Sequence, residues 1–231
     1  GNSAVKVALF KDKWLLRTVE LTSCSMNNIT NFLSQEIVFK TILSSVKNID
    51  KQTLEVITHY KAIVLDEETP LPIKINYKTP DTLGKDRIAG VVAASCLYKD
   101  KNALVLDFGS CLTADVINKE KEYIGGRISP GLIMRYNALH QFTDQLPLCK
   151  ITNTENLIGN DTTSSINSGV QQGMIAEVKE VIDTFRKENK DTVVILTGGD
   201  CFFFEKALKN SIFANPFLVM EGLNEILDYN E

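Results

Sequence analysis

The sequence predicts a mixed α/β protein. Segments with the apolar spacing of strands and segments with helical spacing follow one another in clusters along the 231 residues, and two pairs of strands have the pattern of hairpins. A hydrophobic content of 44% and a charged content of 23% are ordinary for a globular protein of this length, which can bury a substantial core. These observations favour a mixed sheet with helices over the regular alternation of a purely parallel sheet.

The chain is predicted to open with a hairpin. Residues 4–10 begin with alternating apolar positions, Lys11-Asp12-Lys13 is a polar turn, and residues 14–21 have the pattern of the return strand. The other elements predicted before residue 103 are helices over 28–40, 50–59 and 88–97, strands over 41–46 and 62–65, and a proline-rich loop over 69–83.

The second half is predicted to begin with a buried strand. The stretch "ALVLDFGSCLTADVI" (103–117) indicates two strands joined by a glycine turn. The elements predicted after it are a turn at 119–121, a strand from Tyr123, a loop over "GGRISPGL" (125–132), a helix over 170–186, a strand with a double-glycine turn over 192–200, and a helix over 218–227.

Composition argues against several classes of protein. The net charge of −4 gives no sign of a nucleic-acid surface, and no apolar run is long enough to cross a membrane. Five cysteines without C-x-x-C spacing favour reduced thiols over a zinc site or a disulfide framework, so we expect a cytoplasmic protein. The two histidines are far apart in sequence, so a histidine metal site or a Ser-His-Asp triad would require one of them to be recruited.

An internal repeat appears at an offset of 108 residues. Gly1 corresponds to Gly109, and the turn at 11–13 corresponds to Lys119-Glu120-Lys121. Short hairpins often look alike, so coincidence and duplication of a half-domain both remain open. Duplication predicts that an apolar strand precedes Gly1, with an Asp two residues upstream of it.

Duplicated glycine turns have a physical use. Backbone N–H groups and small hydroxyl side chains in such turns can hold phosphate oxygens, and an Asp at the strand end can hold a cation. "TGGD" (197–200), which follows a buried strand, is a candidate third turn for the nucleoside part of a nucleotide.

Several stretches together resemble one family along essentially the whole chain. They are "GNS" (1–3), "TLGKDRIAGVVAA" (82–94), "LDFGSCLTADVI" (106–117), "GGRISPGL" (125–132), "LP" (146–147), "IGNDTTSSINSG" (158–169), "TGGD" (197–200) and "EGLNEI" (221–226). With them the chain resembles the type III pantothenate kinases of the acetate-and-sugar-kinase, hsp70 and actin superfamily. The resemblance implies duplicated ribonuclease-H-like halves, over residues 1–101 and 102–231, with a nucleotide cleft between them.

The resemblance also implies an activity. It is the ATP-dependent phosphorylation of pantothenate to 4′-phosphopantothenate, the first step of coenzyme A synthesis, in a homodimer whose active site is shared between subunits. ATP, Mg²⁺ or another divalent ion, and K⁺ or NH₄⁺ are the implied cofactors.

Asp86 is implied as the general base that takes the proton from the pantothenate hydroxyl; the plainer interpretation is an acid at a helix N-terminus. Thr162 is implied to reach the partner's pantothenate pocket, although Thr162, Thr163 or Ser164 could instead cap the following helix. The implied substrate-binding residues are Tyr77, Gly84, Lys85, Asp86, Arg87 and Thr162.

Asp107 is implied to bind the monovalent cation beside the triphosphate. Ser110 stands where the family usually has Thr, which keeps the hydroxyl, and Cys111 is interpreted as a packing residue. The implied nucleotide-binding residues are Asn2, Ser3, Lys6, Gly109, Ser110, Thr113, Gly198 and Gly199.

Two alternatives remain. One is a non-enzymatic, nucleotide-binding accessory factor for transcription on the same scaffold, which would have little reason to keep Asp86 beside Arg87. The other is a kinase or phosphatase of the same superfamily that acts on a polyphosphate or a sugar, against which the Gly-x-Asp-Arg segment argues.

Overall fold

The computed structural model describes residues 4–152, 156–208 and 212–230. Strands and helices occur in mixed order, as the sequence predicts. In chain order they are β1 (Val5–Lys11), β2 (Trp14–Leu21), α1 (Met26–Leu33), β3 (Ile42–Leu43), α2 (Lys51–Tyr60), β4 (Ile63–Val64), β5 (Lys74–Ile75), α3 (Lys85–Leu97), β6 (Ala103–Phe108), β7 (Cys111–Ile117), β8 (Glu122–Pro130), α4 (Leu132–Gln141), α5 (Thr162–Glu188), β9 (Val193–Thr197), α6 (Cys201–Leu208), β10 (Ile212–Ala214) and α7 (Leu218–Tyr229).

The chain divides into two compact units. The first comprises Gly1–Asp100, Ile117–Gly125 and Phe217–Glu231, and the second comprises Lys101–Val116 and Gly126–Pro216. The division near residue 100 lies beside the predicted boundary, but two later segments belong to the first unit. The halves 1–101 and 102–231 therefore stay a prediction about how the chain is duplicated.

The first unit contains the predicted N-terminal hairpin. Strands β1 and β2 pair antiparallel, and Asp12 in the two-residue turn has a φ of 53°, a conformation that Asp tolerates better than most residues. Asn224 of α7 donates to the Asp12 carbonyl over 2.9 Å, and Lys13 Nζ lies 3.0 Å from Glu225 Oε1. The tip of the hairpin is thus attached to α7.

Helix α3 is the central buried element of the first unit. Residues Ile88 to Ser95 are all buried, which agrees with their small and apolar character. At Gly222, a Cβ atom would lie 1.8 Å from the Ala89 carbonyl oxygen, so α7 can pack this closely on α3 only because it has no side chain there. The predicted buried helix is confirmed, and it begins three residues earlier than the apolar run.

The second unit is built on parallel strands. Strand β9 pairs in parallel with both β6 and β10, and the last pair between β6 and β9 joins Asp107 to Thr197. Helix α5 packs its buried residues, Met174 and Val178 among them, into the same core as Leu104 and Leu106 of β6. Six of the strands form one sheet in the order β10-β9-β6-β7-β8-β5.

One predicted loop is wrong. Residues 125–130 continue β8 rather than forming a loop, and α4 begins at Leu132, only two residues after Pro130. Gly125 has a φ of 147°, and no neighbouring atom lies within 4 Å of a Cβ position. Glycine is therefore needed here for its backbone conformation and not because a side chain would be crowded. A Gly-Gly pair and a proline suggested a loop. Glycine also occurs at bends inside strands, and proline is tolerated on edge strands; β5 pairs with β8 only at Glu122 and Tyr123.

The described parts of the chain contain no helix that is both long enough and apolar enough to cross a membrane.

Candidate active site

Asp86 lies in the first turn of α3. Gly84 is the N-cap of the helix, and Asp86 Oδ1 accepts a hydrogen bond of 2.9 Å from the backbone N–H of Arg87. A Cβ atom at Gly84 would lie 2.6 Å from Asp86 Oδ1. Gly84 therefore leaves room for this carboxylate.

Arg87 is held by a tyrosine that the sequence analysis missed. Its Nη2 donates to Tyr123 Oη over 2.9 Å, and Tyr123 is completely buried. The ring of Tyr77 meets the Tyr123 ring edge to face, with centroids 5.7 Å apart. Tyr77 and Arg87, two predicted substrate residues that are 10 positions apart in the sequence, are thus both in contact with Tyr123.

Lys85 lies against the acidic turn that follows β4. Its side chain is 16% exposed, and Nζ lies 4.0 Å from Glu67 Oε2. In the same turn, a hydrogen bond from Thr69 holds the pKa of Asp66 below its ordinary value. Lys85 thus has nearby negative charge, and a substrate contact by its ammonium group would compete with Glu67.

In the second unit, the Gly109-Ser110 turn lies between β6 and β7 and touches the start of α4. The N–H of Gly131 donates to the Ser110 carbonyl over 3.2 Å. A Cβ atom at Gly131 would lie 2.3 Å from the Gly109 carbonyl oxygen and 2.5 Å from that of Ser110. Gly131, which stands late in the "GGRISPGL" stretch, therefore allows α4 to begin directly against the predicted phosphate-binding turn.

The TGGD turn contacts the same end of β6. Gly198 has a φ of 88°, and a Cβ atom there would lie 2.4 Å from Asp107 Oδ1. Asp200 donates its N–H to the Phe108 carbonyl over 3.2 Å, and burial raises the pKa of the Asp200 carboxyl. The Asp107 carboxylate thus lies beside Gly198 at the end of β6, and a Cβ atom at Gly109 would be 3.4 Å from the same Oδ1.

Gly199 differs from Gly198. No atom lies within 4 Å of a Cβ position at Gly199, and the residue is exposed. Packing within the protein therefore does not require a glycine at position 199. The open space beside this residue leaves room for a bound group. Gly198, by contrast, is required by the fold itself.

Thr113 donates its hydroxyl proton to Asp115 Oδ2 over 3.0 Å, and Asp115 is 1% exposed. Sequence analysis did not single out Asp115, although a charged residue in a buried strand is unusual enough to mark it. Because the Thr113 proton is directed to Asp115, Oγ1 presents lone pairs to any further group. In this arrangement Thr113 would accept a hydrogen bond or bind a cation rather than donate to a phosphate.

Thr162 is the first residue of α5 but does not cap it. Asp161 is the N-cap, and its side chain accepts from the Ser164 N–H over 3.0 Å while Ser164 Oγ accepts from the Asp161 N–H over 3.1 Å. The N-cap residue is thus Asp161 and not Thr162, Thr163 or Ser164, although Ser164 takes part in the cap as the partner of Asp161. The signal for this cap was the Asp-x-x-Ser spacing. This cap also explains why α5 begins eight residues before the predicted helix.

The groove around Thr162 lies on the surface of the second unit. It has a volume of about 690 Å³ and includes Leu139, Leu146 and Ile166 among its lining residues. Among the contacts described, the Thr162 hydroxyl makes no hydrogen bond within the chain. The side chain is thus available to a ligand or to another subunit.

Of the remaining predicted nucleotide residues, Lys6 is in β1, where its Nζ lies 3.2 Å from Glu20 Oε1 on the paired strand. Such exposed pairs contribute about 0–1 kcal/mol, so this one could exchange for a phosphate contact at small cost. Asn2 and Ser3 lie outside the described residues. Across the described residues, no group of three or more His, Cys, Asp or Glu side chains has the arrangement of a metal site.

Comparison with known proteins decides the family. The family model for type III pantothenate kinases matches residues 1–184. The chain belongs to the type III pantothenate kinase family. Type III pantothenate kinases from Christiangramia forsetii and Bacteroides fragilis are 42% and 40% identical to it, over 100% of this chain and 96% of each relative. The predicted family and the predicted class of enzyme are confirmed.

Solved structures agree on the fold. A Baf family protein from Campylobacter jejuni has a TM-score of 0.62 at 21% identity, over 99% of this chain and 95% of that one. A protein from Sinorhizobium meliloti described as a 2-dehydro-3-deoxygalactonokinase has a TM-score of 0.60 at 10% identity, over 97% of this chain and 95% of that one. The predicted α/β fold class is confirmed.

Proposed function

We propose that this protein transfers the γ-phosphoryl group of ATP to the primary hydroxyl of pantothenate, with Asp86 as the general base. The observation that carries the proposal is the Asp86 carboxylate at the start of α3, which Gly84 leaves room for, with Arg87 next to it in the chain. Family membership over the full chain supports the same substrate and reaction.

The proposed step moves one phosphoryl group and one proton. The pantothenate oxygen forms a bond to the γ-phosphorus as the bond from that phosphorus to the ADP oxygen breaks, and the hydroxyl proton passes to Asp86. Since Asp86 Oδ1 already accepts from the Arg87 N–H, Oδ2 is the atom better placed to take the proton. Phosphoryl transfer depends mainly on orientation and on charge stabilisation, so an ordinary carboxylate suffices as the base.

Arg87 and Tyr77 are the proposed contacts for the rest of pantothenate. The planar guanidinium group of Arg87 presents paired donors that match a carboxylate, and pantothenate carries one. Tyr77 would offer pantothenate an aromatic face and a hydroxyl group.

The residues at the end of β6 fit a nucleotide with its cations. The Ser110 hydroxyl suits phosphate oxygens, and the Asp107 carboxylate suits a monovalent cation. The N–H of Gly109 already donates to the Cys111 carbonyl over 3.1 Å. A divalent ion bound with ATP would neutralise charge on the β- and γ-phosphates. We place the nucleoside part against Gly199, where no protein atom lies within 4 Å of a Cβ position.

A homodimer with a shared active site is part of the proposal, with Thr162 reaching the partner's substrate. Large apolar side chains are exposed on the second unit, among them Phe142 at 84% and Ile158 at 80%, and burial against another subunit would stabilise them. A cytoplasmic location completes the proposal, and fractionation of cells that produce the protein would test it.

The central test is pantothenate-dependent formation of ADP, measured with and without K⁺ or NH₄⁺. We expect turnover that requires pantothenate and increases with the monovalent ion. Asp86→Asn should lower kcat by about 10²–10⁴-fold, the usual contribution of a general base. The matched control is Asp81→Asn, an exposed acid five residues earlier, which should leave kcat unchanged. Equal activity of the two variants would remove Asp86 from this role.

A second test concerns the shared site. If Asp86 of one subunit works with Thr162 of the other, mixing inactive Asp86→Asn and Thr162→Ala subunits should restore about a quarter of wild-type activity, since half of the dimers contain one intact site of two. A mixture of Asp86→Asn with Thr163→Ala controls for effects on the helix start. No recovery from exchanged subunits would contradict a shared site.

The accessory-factor alternative has one observation to recommend it. The Baf family name is associated with transcriptional activation in the C. jejuni protein, but at 21% identity that likeness supports the fold alone. Nucleotide binding without any pantothenate turnover would favour this alternative.

A further inference from the structure

Tyr123 is a completely buried side chain that touches two proposed substrate residues. It is the second residue of β8, and its hydroxyl accepts a hydrogen bond of 2.9 Å from Arg87 Nη2. Its ring packs against the ring of Tyr77 at a centroid distance of 5.7 Å and an interplanar angle of 64°. One residue therefore contacts both groups proposed to hold pantothenate.

The backbone of Tyr123 holds the same region. Strands β5 and β8 are parallel here, with Ile75 paired to Tyr123, and the N–H of Asn76 donates to the Tyr123 carbonyl over 3.0 Å. Tyr77 follows Asn76 directly. The position of Tyr77 is thus set by the backbone of Tyr123 as well as by its ring.

The chemistry of a phenol suits the orientation of an arginine that must bind an anion. The arginine side chain is long and flexible, so an anchored Nη2 restricts the plane of the guanidinium group. A neutral phenol oxygen provides this anchor without adding a negative charge. The contact with Tyr123 therefore restricts the orientation of Arg87.

We propose that Tyr123 is a positioning residue for the substrate site, which orients Arg87 and supports Tyr77 for binding of the pantothenate carboxylate. This inference rests on the proposed function. Tyr123 does not touch the reacting atoms in this scheme, and it acts through the two residues that it contacts.

The test is Tyr123→Phe, which removes only the hydroxyl and keeps the ring beside Tyr77. A lost hydrogen bond to a charged group corresponds to a rise of about tenfold in KM for pantothenate. We expect kcat and the KM for ATP to change by less than about twofold, because the proposed effect acts through Arg87 on the binding of pantothenate.

The matched control is Tyr136→Phe in the second unit. Tyr136 is also buried, and its hydroxyl donates to Asn167 Oδ1 over 2.8 Å and accepts from Gln171 Nε2 over 2.7 Å. Loss of this hydroxyl should lower the thermal midpoint but leave the KM for pantothenate unchanged. If the loss of any buried hydroxyl were enough to weaken pantothenate binding, KM would instead rise in both Tyr123→Phe and Tyr136→Phe.

A double-mutant comparison separates positioning from a general structural effect. In an Arg87→Ala background, Tyr123→Phe should cause no further rise in KM, because the group that it orients is gone. Equal rises in KM in the presence and absence of Arg87, or no rise with Arg87 present, would overturn the inference.

Failure of the proposed function has a different signature. Wild-type protein that forms no ADP in response to pantothenate refutes the proposed function and the role of Tyr123 with it. Normal pantothenate turnover in both the wild type and Tyr123→Phe, with the same KM, refutes the role of Tyr123 alone.

Discussion

Gly198 is the position where substitution by alanine should damage the fold most predictably. Strands β6 and β9 end their pairing at Asp107 and Thr197, and the chain turns immediately afterwards at Gly198 with a φ of 88°. A Cβ atom at this position would lie 2.6 Å from both the carbonyl carbon and the carbonyl oxygen of Phe108. Carbon atoms in contact are normally about 3.5–4.0 Å apart, so the two backbones would have to separate by about 1 Å.

The expected cost has two parts. An alanine held at this φ costs roughly 1–2 kcal/mol. Separation of the turn from β6 would weaken the hydrogen bond from the Asp200 N–H to the Phe108 carbonyl, at about 1 kcal/mol. Together these give a loss of about 2–3 kcal/mol in the free energy of unfolding, or about 4–12 °C in the thermal midpoint of a chain of this size.

Thermal unfolding followed by circular dichroism measures this directly. The control is Gly199→Ala at the adjacent position, where no atom lies within 4 Å of the new Cβ, and its effect should stay within about 0.5 kcal/mol. A Gly198→Ala protein that melts within about 2 °C of the wild type would refute the reasoning, since it would mean that the turn can move away from β6 at no cost.

Three further predictions concern Gly84, Glu177 and Asp200. Gly84→Ala should lower kcat by about tenfold or more while leaving the thermal midpoint unchanged, because its Cβ would displace the Asp86 carboxylate and not the backbone; a lower midpoint with normal kcat would contradict this. Burial tends to raise the pKa of Glu177, but hydrogen bonds from Arg135 and Ser129 outweigh it, so the pKa is lowered. The Glu177–Arg135 pair therefore stabilises the fold above about pH 4.3, the unfolded pKa of Glu. That contribution is lost as pH falls through the folded pKa. Urea titrations of Glu177→Gln should accordingly show a smaller loss of stability than the wild type between pH 5 and pH 3, and parallel losses would rule the pair out. Burial raises the pKa of Asp200, so Asp200→Asn should increase the melting temperature at pH 7. This advantage should disappear as pH falls through the folded pKa to below about 3.9, the unfolded value; an equal gain at pH 7 and at pH 3 would exclude the buried charge as the cause.

Much of the fold could be predicted because its signals are local. The apolar run of α3, the buried strands β6 and β9 and the N-terminal hairpin each show their period within a few residues. Predictions failed where local signals were ambiguous. Gly125 and Pro130 suggested a loop in the second half of what is strand β8, and the start of α5 was missed because the helix opens with polar residues.

The candidate site divides in the same way. Asp86, Arg87 and Asp107 could be identified because each stands in a short motif of recognisable composition. Tyr123 stands in no such motif, and its role follows from contact with Arg87, 36 residues earlier in the chain. Gly198 and Gly199 look alike in sequence, yet only the packing of the turn against Phe108 separates a glycine that the fold requires from one that it does not.

The sequence by itself determined the family, the order of most helices and strands, and the motifs that carry the chemistry, because composition, periodicity and motif spacing are properties of neighbouring residues. Only the tertiary structure decided which motif packs against which. It set Gly131 against the Gly109-Ser110 turn and the phenol of Tyr123 against Arg87. Such contacts join residues far apart along the chain, and they depend on the register of strands and on close packing, which no short stretch of sequence specifies.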